Sequence, residues 1–488
     1  MSRRAQAADP AAASSPPETV GESHRQAQGQ SQSQPQSRSA SQSSSQTESA
    51  ALLGLDISQD EVVACLLLAD GREATPRFAL PNNLPGAQTL AERLVGLAEQ
   101  HGFRRVRIGL EATSLYWWHL ASFLKDSPLL SPLSPEVYLL NPKLVHGLKK
   151  VYSDQGKTDH LDAWFIAERL RIGRLPAPFE LDLVYAPLQR LSRFRSHLAQ
   201  TLAREKNYFL TFLFLKFSAF SQVGPFADSF GVTSSALLDG YTTEELIQMP
   251  LEELVSFLNN QSRGHFAEPT ELARTLKRAA TNSYQLDRAL QEPVSLILAT
   301  TMANIRTLKW QLLEVDKTIA EELQALPLER RIIDSIPGLG PIYTAGIVSE
   351  IGSIHRFENE AALARFAGLV WHPHQSGEFT AEDTSLAKSG NAYLRYYLVE
   401  AANNVRLHCP EYRGYYQAKF AQSTKHAHKR ALVLTARKLV RLIDVLLRAG
   451  MAYRPPDRRQ DQKEGLSLPQ TRRPGVATRH AYMPKAEH

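Results

Sequence analysis

The 488-residue sequence predicts an α/β domain followed by a mainly α-helical body. Short apolar runs with strand character alternate with helical patterns between residues 51 and 172, which is typical of an α/β domain. From residue 188 onwards, apolar side chains recur mainly at helical spacing. Because a chain of this length exceeds what one hydrophobic core ordinarily covers, we expect several domains.

The elements of the α/β domain follow a recognisable order. Three apolar runs separated by turns predict an antiparallel meander at residues 51–57, 61–68 and 78–80. Helical and strand patterns then alternate, at residues 86–101, 105–110, 114–125 and 137–140. Three antiparallel strands followed by alternating helices and strands are the order expected of a ribonuclease H-like domain.

Four carboxylates occur where such a domain would bring strand ends and a helix together. Asp56 ends the first predicted strand, and Glu111 ends the strand at 105–110. Asp159 and Asp162 are three positions apart at the start of a predicted helix, so they share one of its faces. Two Mg²⁺ ions need several oxygen ligands and can stabilise both the attacking and the leaving oxygen of a phosphodiester. The four residues together therefore predict a magnesium site.

Each carboxylate also has a purely structural interpretation. Asp159 can cap the helix, and Asp162 suits a first turn, where the helix dipole favours negative charge. Asp56 can begin a turn, and Glu111 can be a solvated strand end. The number and order of the four residues favour the metal site.

Composition indicates the compartment. Lys and Arg total 56 against 50 acidic residues, a net charge of +6, so the position of the charge matters more than its total. Cys65 and Cys409 argue against a disulfide framework and for a reducing compartment.

Residues 1–50, rich in Ser, Gln and Ala, predict a disordered extension rather than a signal peptide. The apolar stretch at 208–220 is too short to span a membrane and predicts a buried helix.

The middle of the chain predicts long helices. Apolar side chains recur at helical spacing from Leu188 onwards and again over residues 296–326. These runs predict an antiparallel coiled coil that also serves as a dimer surface, or equally an ordinary helical bundle, because the heptad pattern is short. Residues 221–283 form an insertion between them, to which the sequence assigns no role.

Two features near the C-terminus indicate nucleic-acid binding. A Gly- and Pro-rich turn at 335–341 precedes an apolar helix, which is typical of a phosphate-binding helix-hairpin-helix element or of a simple tight turn. Between Lys388 and Arg448 there are 12 Lys or Arg and three acidic residues, with six tyrosines interleaved. Solvated helix faces explain part of this excess, but a basic, aromatic-rich region favours phosphate contact and base stacking.

Two ordered sets of motifs resemble those of the DEDD-type insertion-sequence transposases, the group that includes the pilin-gene invertases and the bridge-RNA-guided serine recombinases. The N-terminal set comprises residues 54–58, 109–113 and 157–163. The C-terminal set runs through residues 335–341, 350–352, 366–369, 375–377, 388–391 and 394–395. The resemblance covers most of residues 52–450. It implies a RuvC-like domain whose Mg²⁺ ligands are Asp56, Glu111, Asp159 and Asp162.

The resemblance also implies a serine that attacks DNA and stays covalently attached to it. By register from residues 368–370 this is Ser376, with Ser385 and Ser389 as weaker candidates. Unactivated serine is a poor nucleophile, so it needs a base or a metal-bound partner, which the carboxylate site can provide if the domains meet. The chain departs from the family at Trp371, where proline is usual, and at acidic positions 378, 382 and 383, where basic residues are common. These departures leave the local DNA contacts unassigned.

The expected function is therefore that of a transposase or recombinase that cuts and rejoins element ends and target DNA. Expected DNA contacts are Lys149, Lys150, Lys388 and Arg395. The resemblance further implies a structured guide RNA and a homo-oligomer, from a dimer to a synaptic tetramer, in the bacterial cytoplasm at the nucleoid. The alternatives are a metal-dependent RuvC-like junction nuclease that uses water, and a non-cleaving nucleic-acid-binding derivative.

The predicted domain boundaries follow from these patterns. They are a disordered extension at 1–50, the RuvC-like domain at 51–186, the helical middle at 187–330, the C-terminal transposase domain at 331–450 and a disordered tail at 451–488.

Overall fold

The chain forms two compact units that divide between Phe179 and Glu180. The computed structural model describes residues 50–112, 114–151, 159–180, 182–371, 375–376, 379–380, 386–387 and 389–455. Within these ranges, the side chains at 151, 159–160, 375–376 and 379–380 are outside the description. Of the segments predicted to be disordered, 1–50 and 451–488, residues 1–49 and 456–488 lie outside the described residues.

The first unit is built on a mixed five-stranded sheet. Its strands are β1 (Ala51–Ile57), β2 (Glu61–Leu67), β3 (Phe78–Pro81), β4 (Val106–Glu111) and β5 (Glu136–Leu140). Their order across the sheet is β3-β2-β1-β4-β5. Strands β1 to β3 are antiparallel, whereas β4 runs parallel to β1 and β5 runs parallel to β4. The predicted meander and the two later strands are confirmed.

Four helices accompany this sheet: α1 (Leu84–His101), α2 (Trp118–Asp126), α3 (Pro142–Val151) and α4 (Asp159–Ile172). Because side chains alternate along a strand, β1 contributes to two different cores. Leu53 and Leu55 pack with apolar residues of α1 and α2 on one face of the sheet. Leu52 packs with α4 on the other face. The sheet is therefore covered on both sides.

Helix α4 lies very close to the sheet because glycines face it. A Cβ atom on Gly54 would lie 2.1 Å from the carbonyl oxygen of Ala163 and 2.4 Å from the amide nitrogen of Ala167. A Cβ atom on Gly109 of β4 would lie 3.1 Å from the side chains of Ile166 and Leu170. The two alanines of α4 are fully buried. Small residues on both surfaces thus set the distance between helix and sheet.

The second unit begins with two long helices and an insertion. The long helices are α5 (Ala186–Lys216) and α11 (Arg288–Glu322). Between them lie α6 (Phe220–Val223), α7 (Val232–Gly240), α8 (Thr243–Gln248), α9 (Leu251–Ser262) and α10 (Pro269–Thr281). Leu188, near the start of α5, shares a core with Ile319, near the end of α11. Phe209, late in α5, shares another core with Leu298, early in α11, so the two helices run antiparallel.

The insertion has its own hydrophobic core together with the adjoining halves of the long helices. Leu237, Leu254 and Leu276 from three short helices are all buried there. The helix predicted at 208–220 is only partly buried, because the side chains of Tyr208 and Phe214 are each 51% exposed. Within the part of the chain that the structure describes, no helix is long and apolar enough to cross a membrane.

The remaining elements form the C-terminal core. They are α12 (Pro327–Asp334), α13 (Pro341–Ile351), α14 (Glu360–Phe366), the short strands β6 (Gln375–Ser376) and β7 (Phe379–Thr380), α15 (Ala392–His408), α16 (Pro410–Ala421) and α17 (Ala427–Ala449). The ring of Tyr397 lies against Gly346 in the middle of α13, where a Cβ would be 2.4 Å from it. Tyr453 donates its amide to Ser335 Oγ at 2.7 Å, so the ordered chain continues past the predicted boundary at 450.

We predict that Gly54→Ala destabilises the first unit by about 1–3 kcal/mol or more, because the new methyl group overlaps the backbone of α4. Thermal and urea unfolding measure the change. The matched control is Gly96→Ala, at an exposed position of α1 with no atom within 4 Å of the added Cβ. This control should stabilise by roughly 0.5–1 kcal/mol, since alanine favours the helix. Equal effects of both substitutions would show that the close contact at Gly54 does not matter.

Candidate functional site

Two of the predicted carboxylates lie side by side at the C-terminal edge of the sheet. Leu55 of β1 is paired in register with Leu110 of β4, so the next residues, Asp56 and Glu111, are neighbours on parallel strands. By strand alternation both share the face of Gly54, which is the face covered by α4. Both side chains are partly buried. The sheet therefore brings the first two predicted residues together.

Asp162 is carried to the same region by α4. Its carboxylate is 2.9 Å from the Lys149 ammonium of α3, and the side chains are only 16% and 27% exposed, respectively. The close packing of α4 on β1 and β4 fixes this position, since Ala163, the next residue, contacts Gly54. Asp159 begins α4 three positions earlier, and its side chain lies outside the described residues.

The carboxylates of Glu111 and Asp162 are close enough to interact electrostatically. Burial is the main cause that raises the pKa of Glu111, and the negative charge of Asp162 raises it further. The positive charges of Lys149 and His146 act in the opposite direction without reversing the shift. The site thus concentrates negative charge at a partly desolvated position, as a cation-binding site requires.

The described side chains alone do not complete a metal site. Among them, no three carboxylate, histidine or cysteine groups converge closely enough to hold an ion. The fourth predicted ligand, Asp159, is not included in that statement because its side chain is undescribed. Lys149, a predicted nucleic-acid contact, pairs with Asp162 in the structure. The neighbouring Lys150 is exposed.

The predicted nucleophile lies in a β-hairpin of the second unit. Ser376 ends β6, and its backbone pairs with Phe379 of the antiparallel strand β7. At the base of the hairpin, Ala387 donates its amide to the carbonyl of Val370 at 2.8 Å. The Ser376 side chain lies outside the described residues, as do Ser385 and Lys388, whereas Ser389 is exposed.

Several motif residues around this hairpin have structural roles. Gly368 has φ +67° and lies against Arg395, whose guanidinium donates to the Ala367 carbonyl at 3.3 Å. Gly390, with φ +139°, leaves no room for a side chain, since a Cβ would be 2.5 Å from the Phe366 carbonyl oxygen. Such backbone conformations favour glycine. Arg395, expected to contact DNA, thus also holds the segment where the hairpin begins.

A buried carboxylate in the motif at 350–352, to which the sequence analysis assigned no role, connects three elements of the second unit. Glu350 of α13 is 1% exposed. It accepts hydrogen bonds from the Arg193 guanidinium of α5 at 2.6 and 2.8 Å and from the Asn391 amide at 2.6 Å. The Asn391 Oδ1 atom also caps α15 by accepting from the amides of Tyr393 and Leu394. A lone glutamate inside the apolar run 342–351 was the available signal.

The predicted helix-hairpin-helix element corresponds to α12, the turn at 335–340 and α13. Gly338 has φ +94° and approaches the Asn404 carbonyl of α15, where a Cβ would be 2.9 Å away. Gly340 precedes α13 in an extended conformation, no side chain caps that helix, and the space around Gly340 is open. The turn is therefore packed at Gly338 and open at Gly340, where backbone amides at a helix start suit an anion.

Many of the basic side chains in the C-terminal region already have protein partners. Lys438 pairs with Glu411 at 2.6 Å and Arg437 with Glu360 at 2.5 Å. Arg448 donates to Asp444 and to the Phe357 carbonyl. The charge excess predicted from sequence therefore overstates what is available for phosphates. Exposed cations remain at the start of α17 and along it, including Lys425, Lys429 and Arg441.

The sequence matches two family models. A DEDD-type IS110 transposase model matches residues 53–217, and a model described as the transposase IS116/IS110/IS902 family matches residues 330–417. Together they cover just over half of the chain. The segment between them contains the whole insertion from α6 to α10.

Three curated relatives are similar to the chain. The uncharacterized 44.8 kDa protein of insertion element IS116 from Streptomyces clavuligerus is 24% identical over 64% of this chain and 76% of its own length. The uncharacterized 42 kDa protein of insertion element IS900 from Mycobacterium paratuberculosis is 25% identical over 64% of this chain and 77% of its own length. The transposase for insertion sequence element IS1111A from Coxiella burnetii is 25% identical over 37% of this chain and 53% of its own length.

These matches fall on both motif sets identified in the sequence and confirm the resemblance at the level of the family. The chain belongs to the IS110/IS116/IS902 family of insertion-sequence transposases.

Proposed function

We propose that this transposase cuts and rejoins DNA by means of a Mg²⁺ site at Asp56, Glu111, Asp159 and Asp162 and a nucleophilic serine, Ser376. The observation that carries the proposal is the convergence in the first unit. Asp56 and Glu111 are neighbours on parallel strands, and α4 brings Asp162 close enough to influence the pKa of Glu111. DNA is the substrate on which a transposase acts.

The sheet supports a RuvC and ribonuclease H-like assignment. Its order β3-β2-β1-β4-β5, with three antiparallel strands followed by two parallel ones, agrees with the order expected from the sequence. The carboxylates lie at the C-terminal ends of the adjacent strands β1 and β4, and α4 covers the same face. In this arrangement strand ends carry the polar groups and the cores beneath remain apolar.

The donor set fits a hard divalent cation. Carboxylate oxygens are the ligands that Mg²⁺ prefers, and the pKa of Glu111 is raised first by burial and further by the negative charge of Asp162. The Lys149 ammonium occupies the place of a cation beside Asp162. When bound, Mg²⁺ would polarise a phosphoryl oxygen and stabilise the charge that develops there. Lys149 would then release Asp162 and bind a DNA phosphate.

The serine step is balanced without an external energy source. The Ser376 oxygen attacks phosphorus, loses its proton to a base, and forms a phosphodiester to the protein while one DNA oxygen leaves and takes up a proton. Attack by a DNA hydroxyl reverses these changes and releases the serine. Because one phosphodiester replaces another at each step, the protein can rejoin strands as well as cut them.

The guide RNA and the oligomer are the remaining parts of the proposal. Family membership supports a structured RNA that selects donor and target DNA, and the antiparallel pair α5 and α11 offers the coiled coil expected for a dimer or tetramer. If RNA-depleted protein recombines DNA at full rate and with unchanged site choice, the protein does not use a guide RNA.

We predict that Glu111→Gln raises the melting temperature of metal-free protein at neutral pH. Since the folded pKa of Glu111 is raised, its ionised form costs stability once pH exceeds the unfolded value of about 4.3, and the full cost applies above the folded pKa. The difference from wild type should shrink as pH falls through the folded pKa and vanish well below about 4, where Glu111 is protonated in both states.

The matched control is Glu136→Gln on the adjacent strand β5. Burial alone would raise the pKa of Glu136, but hydrogen bonds from Arg107 and Tyr138 lower it overall. This variant should therefore melt lower than wild type at neutral pH. If both variants shift the melting temperature in the same direction, the strained environment of Glu111 is not supported.

We predict that Asp162→Asn abolishes strand cleavage and the stabilisation by Mg²⁺ while the protein stays folded. Apparent affinity for the ion should fall by more than the roughly 10–100-fold cost of losing an outer-shell partner. Melting curves with increasing Mg²⁺ and a cleavage assay provide the two measurements. Lys149→Met is the counterpart, since removing the competing ammonium should tighten Mg²⁺ binding. Retained cleavage with a large loss of stability in Asp162→Asn would favour helix capping instead.

We predict that Ser376→Ala eliminates covalent attachment to DNA but not DNA binding, because one hydroxyl is lost and the basic side chains are kept. Wild type and the Ser376, Ser385 and Ser389 alanine variants are incubated with element-end DNA and Mg²⁺, and adducts are scored on denaturing gels. If the adduct persists in Ser376→Ala but disappears in another variant, the serine changed in that other variant is the nucleophile. If wild type cleaves DNA without forming any adduct, water rather than serine is the nucleophile.

A further inference from the structure

A cavity of about 530 Å³ opens beside the C-terminal ends of β1 and β4. It lies on the face of the sheet opposite α4, because its floor includes Ala87 of α1 and Leu120 of α2, which belong to the core on that side. Phe123 completes the apolar floor. The volume falls within the range of about 300–1,000 Å³ that is usual for small-molecule sites.

The cavity is built by the segments that directly follow the two carboxylate-bearing strands. Gln59 in its wall comes three residues after Asp56, and Leu115 and Tyr116 come four and five residues after Glu111. At roughly 3.3 Å per extended residue, the wall lies within about 10–17 Å of the carboxylates. The carboxylates lie on the face covered by α4 and the cavity lies on the other face, so a DNA strand bound at the carboxylates would reach the cavity by crossing the C-terminal edge of the sheet.

The chemistry of the wall suits a flat, uncharged aromatic group. Among the described residues that line the cavity there is no lysine, arginine or carboxylate, which disfavours a phosphate as the occupant. The Tyr116 side chain is 46% exposed, and its hydroxyl group is 3.3 Å from the Gln59 side-chain oxygen, so the ring is oriented. Gln59 and His119 place polar groups at the rim, where they can read the edge of a base.

We propose that this cavity binds an unpaired nucleobase of the DNA strand held at the carboxylate site, stacked on the ring of Tyr116. The inference rests on the proposed function for the position of the strand, and it adds a subsite for a base of the same strand, across the edge of the sheet from the reacting phosphate. Enzymes that modify a base take it out of the stack and hold it in a pocket by stacking and by hydrogen bonds to the base edge. Base–aromatic stacking tolerates any sequence, because every base has a π-face.

Photo-crosslinking tests the location of the base. Single-stranded oligothymidylate of about 20 nucleotides, with one thymine replaced by 5-iodouracil, is bound to the full-length protein in chelator and irradiated, and the attached peptide is identified by mass spectrometry. We expect attachment to the peptide that contains Tyr116 and its loss in Tyr116→Ala. Attachment only elsewhere, with no difference between the variants, would overturn the proposal.

Affinity for the same probe separates stacking from other effects. Tyr116→Ala should weaken binding by about 5- to 100-fold, the effect of one lost base stack, whereas Tyr116→Phe keeps the ring and should bind like wild type. Tyr284→Ala, at a position 79% exposed in the second unit, is the matched control and should have no effect. Equal losses in Tyr116→Phe and Tyr116→Ala would assign the effect to the Gln59 hydrogen bond and reject stacking.

The outcomes also distinguish this inference from the proposed function. If wild type cleaves element-end DNA and Tyr116→Ala binds, crosslinks and cleaves equally well, the base pocket is wrong and the function stands. If Tyr116-dependent capture of the base is seen but wild type neither cleaves DNA nor forms an adduct, the pocket stands and the proposed chemistry fails. Preferential attachment of the matching 5-iodouracil oligoribonucleotide at Tyr116 would replace DNA by RNA as the occupant.

Discussion

The contact between α4 and the sheet determines where the acidic groups of the first unit lie. Gly54 allows the backbone of α4 to approach at Ala163 and Ala167, closer than any side chain on β1 would permit. Asp162 immediately precedes the first of these contacts, so its position follows from packing rather than from its own interactions. Because cores are close-packed and resist small displacements, a helix held in this way can present a carboxylate with little freedom to move.

The same packing creates an electrostatic cost that Lys149 only partly offsets. Glu111 and Asp162 repel each other in a partly desolvated region, and burial of Glu111 adds to the cost. The ion pair between Lys149 and Asp162 reduces the local charge without removing the upward shift in the pKa of Glu111. A protein selected for stability alone would place neutral residues here. Charged groups placed at a cost in stability are the pattern expected of a functional site.

Local patterns predicted the strands and the first two carboxylates, whereas contacts distant in sequence were missed. Strand alternation and strand ends are encoded within a few residues, so β1, β4, Asp56 and Glu111 could be predicted. The pairing of Lys149 with Asp162 depends on how α3 and α4 meet, which no periodicity reveals. Glu350 was visible as a charge in an apolar helix, but its partners Arg193 and Asn391 are 157 and 41 residues away. The cavity beside β1 and β4 is likewise formed by segments of several elements, so local patterns do not reveal it.

Several motif residues of the second unit form a structural scaffold. Gly368 and Gly390 permit close backbone approach on the two sides of the hairpin that carries Ser376. Asn391 joins this region to the buried Glu350, whose charge is balanced by Arg193 of α5. Removing one partner would leave a buried charge unpaired, which is costly, so these residues constrain one another. Their spacing in the sequence therefore reflects the contacts that hold the segments on both sides of the hairpin.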